Sequence, residues 1–174
     1  RVGPLRAEGV LDSVVSRESM FLLNNLFLIA ATFTVFFGTV FPLLSEAVRG
    51  VKVSVGAPFF NLVNIPIFLA LLFLMGVGPL IAWRRASAEN LKRNFLKPVL
   101  AGVVAAAVMR ALGVGNALVL TAIALVVFVA GTITLDLFRA VRTRRRGGDG
   151  WAAATVGLLL RQNRRYGGFI VHLG

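Results

Sequence analysis

The sequence predicts an all-α fold, a polytopic transmembrane helical bundle with four full spans and the start of a fifth. Three observations predict it. Of the 174 residues, 57% are hydrophobic, and the mean hydropathy is +0.84; a soluble domain of this size is closer to half apolar. The apolar residues stand in long blocks, most of them long enough at 1.5 Å per residue to cross a hydrocarbon layer about 30 Å thick. The 19 Lys and Arg, against 7 Asp and Glu, gather at the ends of those blocks, where they set orientation.

The whole chain reads as a single transmembrane region, with spans at about 20–44, 58–83, 98–112 and 116–138 and a last one at 167–174, cut short by the end of the sequence. Ser16 or Ser19 caps the first block, which carries Asn24, Asn25, three threonines and Pro42. A hydrophilic loop at 45–57 follows, with a strand-like alternation at Val51-Lys52-Val53-Ser54-Val55. The second block is interrupted by Asn61, Asn64, Pro66, Gly76, Gly78 and Pro79. Such residues persist in membrane helices when neighbouring protein re-satisfies the backbone, so this helix is expected inside a bundle or along a cavity. Trp83 stands at its end, where an aromatic belt belongs.

The third block begins at Pro98 and is the shortest; its 15 or so residues reach only about 22 Å as a helix. Gly113 and Gly115 turn the chain into the fourth block, which stays apolar until Asp136. Asp136 is expected to pair locally with Arg139 or Arg142. Trp151–Arg161 reads as a short interfacial helix. The sequence opens on Arg1 and stops at Gly174 as an apolar run gets under way, which leads us to expect a piece of a longer polypeptide.

The basic loops orient the spans. Segment 84–97 holds Arg84, Arg85, Lys92, Arg93 and Lys97, and the run from Arg139 to Arg165 holds eight more cations, whereas 45–57 holds only Arg49 and Lys52. The positive-inside rule places residues 1–19, 84–97 and 139–166 in the cytoplasm. The net charge of +12 therefore speaks for membrane lipid as a partner and against nucleic acid. The absence of cysteine excludes disulfides, Zn–thiolate sites and thiol catalysis within this stretch. No phosphate-binding loop, His-Glu-x-x-His, Gly-x-Ser-x-Gly or paired carboxylates within an apolar block occur.

His172 is the sole histidine and the leading candidate for chemistry. It falls about 8 Å into the fifth helix, where an imidazole is costly unless it is paired or coordinating. It is either an axial heme ligand, a metal ligand or a proton relay, or a histidine bonded to a neighbouring helix or hydrated near the interface. Arg165, Tyr166, Gly167 and Gly168 precede it. They form either a structured entry to the helix, with arginines facing propionates or lipid phosphates, or an orientation signal joined to a glycine turn. Asn24, Asn25, Asn61 and Asn64 are expected to be hydrogen-bond links between helices, worth about 0.6 kcal/mol each.

Several ordered motifs resemble the CcmF family of cytochrome c-type biogenesis proteins. They are Ser16-Arg17-Glu18 with Leu22-Leu23-Asn24-Asn25, Gly38-Thr39-Val40-Phe41-Pro42-Leu43, Ser54 through Asn61, Met75 through Leu80, and Arg165-Tyr166-Gly167-Gly168-Phe169-Ile170-Val171-His172-Leu173-Gly174. The resemblance implies a bacterial inner-membrane subunit of the heme lyase (holocytochrome c synthetase) from the C-terminal half of such a protein. Its partners would be a heme chaperone, apocytochrome c and the thiol-presenting maturation subunits. It also implies a transmembrane heme b held by two histidines, of which His172 would be one, and whose role would be to reduce the iron of incoming heme. The family's tryptophan-rich segment and its other histidines have no counterpart here, so this stretch alone is expected to be inactive. The alternative is a transporter or channel segment, with the interrupted second block lining a substrate path.

Overall fold

The computed structural model describes residues 17–78, 88–145 and 150–161, together with Gly167, Gly168 and Val171. Five helices follow in order: α1 (Arg17–Arg49), α2 (Ala57–Val77), α3 (Ala88–Ala111), α4 (Ala117–Arg145) and α5 (Trp151–Arg161). The first four are long and apolar enough to cross a membrane. The protein is therefore an all-α, multi-pass membrane protein, and no strand occurs among the described residues.

α1 outruns its apolar block at both ends, α3 at its start and α4 at its end, whereas α2 closes at Val77, short of the expected end at 83. The largest extension is in α3, whose backbone turns helical at Ala88, ten residues before Pro98. Its apolar window runs Leu91–Ala111, 21 residues or about 31 Å, so the short third block belongs to a full-length span. Pro98 lies inside the helix with its ring buried against α4: a methyl group on Gly131 would lie 3.3 Å from Pro98 Cβ. The strand-like segment 51–55 forms no strand, since an alternating run needs a paired neighbour. Instead α1 continues to Arg49 and stops at Gly50, whose φ of 67° a side chain would strain. Ser45 Oγ then accepts a hydrogen bond from the Val53 amide at 2.9 Å and donates one to the Pro42 carbonyl, also at 2.9 Å.

The chain divides into two compact units. The first holds α1 and the α2 segment as far as Leu71; the second holds the end of α2 from Leu72, α3 from Leu91, α4 and α5. In the first unit α1 meets α2 at Gly38, where a methyl group would come within 2.6 Å of the Phe60 ring. The threonines of α1 return their hydroxyls to the helix backbone, Thr34 to Ala30 and Thr32 to Leu28, both at 2.8 Å. This removes the cost of an unpaired hydroxyl in hydrocarbon. Much of the remaining α1 surface is exposed phenylalanine, leucine and isoleucine, among them Phe21, Ile29, Phe33 and Phe36. Lipid tails cover such a surface as well as protein does.

The second unit packs around Phe128 of α4, which is 5% exposed. Its ring stacks on Phe73 of α2 at 6.1 Å and tilts against Phe95 of α3 at 6.0 Å. Gly76 of α2 makes room for it, since a methyl group there would lie 2.6 Å from the ring. α3 and α4 approach more closely still at Gly102, where a methyl group would sit 2.5 Å from the Ala124 carbonyl oxygen. The turn between these two helices is a Schellman motif: Val114 N–H donates to Met109 O at 3.0 Å and Gly113 N–H to Arg110 O at 3.1 Å, with Gly113 at φ 101°. Asn116 then caps α4, its Oδ1 accepting from the Leu118 and Val119 amides.

Asn64 was expected to link helices. It is 8% exposed, and its Oδ1 has no hydrogen-bond partner among the described residues. A buried, unpaired amide oxygen costs about 1–3 kcal/mol. Asn64→Leu is therefore expected to leave stability unchanged or raise it by about 1 kcal/mol, read from thermal unfolding in detergent. A clear loss of stability would instead make Asn64 the link that its sequence context suggests.

Candidate functional site

The segment that leads to His172 is α5, which coincides with the interfacial helix expected at 151–161. Gly150 O accepts from the Ala154 amide at 2.8 Å and starts the helix. α5 folds back on the end of α4, burying Ala154 (0% exposed) and Leu158 while Val141 is buried on α4. The Trp151 ring lies 6.0 Å from that of Phe138, and the Arg145 guanidinium sits 4.7 Å above the indole, a cation–π contact. At Gly157 the fit is tighter: a methyl group would fall 2.7 Å from Arg144 Nη2. α5 is thus held against α4 by apolar burial and by two arginines of the last α4 turn.

Beyond α5, Arg165, Tyr166 and His172 lie outside the described residues. Gly167 and Gly168 are described, and both are helical. Neither has a positive φ, and a methyl group on either would meet nothing within 4 Å. Val171, one residue before His172, is helical and 76% exposed.

One contact of this region was not legible beforehand. Arg139 reaches across to α3, where Nη1 donates to Asn94 Oδ1 and Nη2 donates to the Arg93 carbonyl at 2.9 Å. Sequence spacing offered only Asp136 as a neighbour for Arg139, because a partner 45 residues away leaves no local signal. The bond ties the basic start of α3 to the basic end of α4, so these two cationic stretches share one end of the second unit.

The donor set bears on which group the site can hold. The chain has one imidazole and no thiol, and no cluster of three His, Cys, Asp or Glu able to hold a metal occurs among the described residues. A protein-only metal centre needs three or four such donors.

The sequence was also compared with known proteins. It is 42% identical over 129 residues, 73% of this chain, to the cytochrome c-type biogenesis protein CycK of Bradyrhizobium diazoefficiens. It is 38% identical over 134 residues, 76% of this chain, to the cytochrome c-type biogenesis protein CcmF of Pseudomonas fluorescens. The chain belongs to the CcmF/CycK family of cytochrome c-type biogenesis proteins. The CcmF of Escherichia coli is a further relative, 38% identical over 87 residues. The chain spans about a fifth of the length of the first two relatives, 20% of each, and 13% of the Escherichia coli protein. No family model and no solved structure matches it.

Proposed function

We propose that this chain forms part of the membrane core of a cytochrome c maturation protein, in which His172 would help hold the iron of a heme b. The observation that carries the reading is the family relationship joined to the donor set: a single imidazole, in an apolar run, in a chain without cysteine. Bound there, the heme would supply a one-electron redox centre within the membrane. Neutral His172 would offer one ring nitrogen to the iron, with its tautomer set by whatever the other nitrogen bonds. Arg161, Arg164 and Arg165 precede it at the membrane edge and carry the charge needed to face propionates. The four apolar helices exclude water and lower the local dielectric, which favours retention of an apolar macrocycle.

On this reading the whole protein acts as the heme lyase subunit in the bacterial inner membrane. It takes heme from a heme chaperone and meets apocytochrome c together with the maturation subunits that present its thiols. The rival reading as a transporter needs an interrupted second helix. α2 is continuous from Ala57 to Val77 through Pro66 and Gly76, and Pro79, the other expected interruption, lies outside the described residues.

The test is the visible spectrum of the protein purified in detergent, with heme quantified as its pyridine complex. Wild type is expected to show a Soret band, and His172→Ala to lose nearly all of it while keeping its helical circular dichroism. Added imidazole is expected to restore part of the band. An undiminished Soret band in the folded variant removes His172 from the iron.

A further inference from the structure

We propose that the paired ends of α3 and α4 form a binding site for an anionic phospholipid headgroup, capped by α5. The Arg139 bonds to Asn94 and to the Arg93 carbonyl hold these ends together. Around that clamp stand the exposed side chains of Lys92, Arg93 and Lys97 on α3 and of Arg142 and Arg145 on α4. The same stretches hold only two acids, Glu89 and Asp136. Cations concentrated at one end of two packed spans lie where headgroup phosphates lie, and each strengthens anionic-lipid attraction about fivefold.

Two features point to a lipid and not to a free anion. Trp151 stands beside Arg145 at this end, partly exposed (47%), in the amphipathic position typical of an interface anchor. α5 buries Ala154 and Leu158 on α4 but leaves Val156 and Leu160 exposed at 55% and 73%. A short helix with one apolar side on protein and another uncovered, next to a cationic patch, lies naturally at the boundary between headgroups and acyl chains. Stacking on the indole still leaves the in-plane N–H donors of Arg145 free to meet a phosphate. An inorganic anion would use the cations but have no use for Val156 or Leu160.

The experiment uses the native protein in nanodiscs of phosphatidylcholine, alone or with cardiolipin, and reads thermal unfolding together with lipid retention by native mass spectrometry. Cardiolipin is expected to raise the melting temperature and to remain bound, whereas inorganic phosphate at the same charge does neither. The triple variant Lys92→Gln, Lys97→Gln, Arg142→Gln leaves the Arg139 clamp intact. It is expected to bind cardiolipin about 100-fold more weakly, from about fivefold per cation. The matched variant Arg49→Gln, Lys52→Gln, Arg110→Gln removes as much charge elsewhere and is expected to bind as wild type does. Equal weakening by both triple variants, no cardiolipin effect on wild type, or an equal effect of inorganic phosphate would each overturn the site.

Discussion

Gly102→Ala is expected to destabilise the protein by about 2 kcal/mol, although alanine is the better helix former. Inside a helix, glycine to alanine ordinarily gains about 1 kcal/mol. Here the added methyl group would lie 2.5 Å from the Ala124 carbonyl oxygen, and a backbone atom of a second helix cannot swing aside as a side chain does. The helices would have to part along their whole contact, which also loosens Pro98 against Gly131. Close approach through small residues is a main source of helix association where lipid removes the hydrophobic drive. Unfolding in mixed detergent and dodecyl sulfate measures the effect. Gly115→Ala, where a methyl group meets nothing within 4 Å, serves as the comparison and is expected to change stability by no more than about 0.5 kcal/mol. Greater stability in Gly102→Ala would show that α3 and α4 do not cross at this point.

Phe128→Ala is expected to cost more, about 3 kcal/mol. The ring is shared by three helices: it stacks on Phe73 of α2, tilts against Phe95 of α3 and fills the notch at Gly76. Its removal leaves a void that lipid cannot enter, so the lost dispersion contacts are not replaced. Phe68→Ala makes the contrast. Phe68 is 55% exposed, and acyl chains can fill the space that its ring leaves, so little change is expected. The difference between the two variants, read from thermal unfolding in the same detergent, is the informative quantity. Equal losses would mean that Phe128 faces lipid.

These two predictions rest on features of different legibility. Phe128 reads in the sequence as one more apolar residue of the fourth block, no different in type from Phe68 or Phe138. Gly102 reads as a mild helix weakener. Nothing local separates a phenylalanine at a three-helix junction from one facing lipid, because both environments are equally apolar. The candidate site divides in the same way. Its imidazole and the run from Arg165 to Gly168 were visible as residue types in an apolar context. The packing of α5 on α4, with Arg144 at Gly157 and Arg145 on Trp151, was not visible.

Crossing a membrane is an additive property of about 20 neighbouring residues, and the sequence alone sufficed for four long apolar helices and the short helix at 151–161. It did not suffice for the length of α3, because its basic first turns look like a loop until α4 is packed against them. The close approaches at Gly38, Gly76 and Gly102 depend on how each helix is rotated and offset against another. So do the reach of Arg139 to Asn94 and the burial of Asn64. Rotation and offset are set by side-chain shape across contacts distant in sequence, and only the folded arrangement decides them.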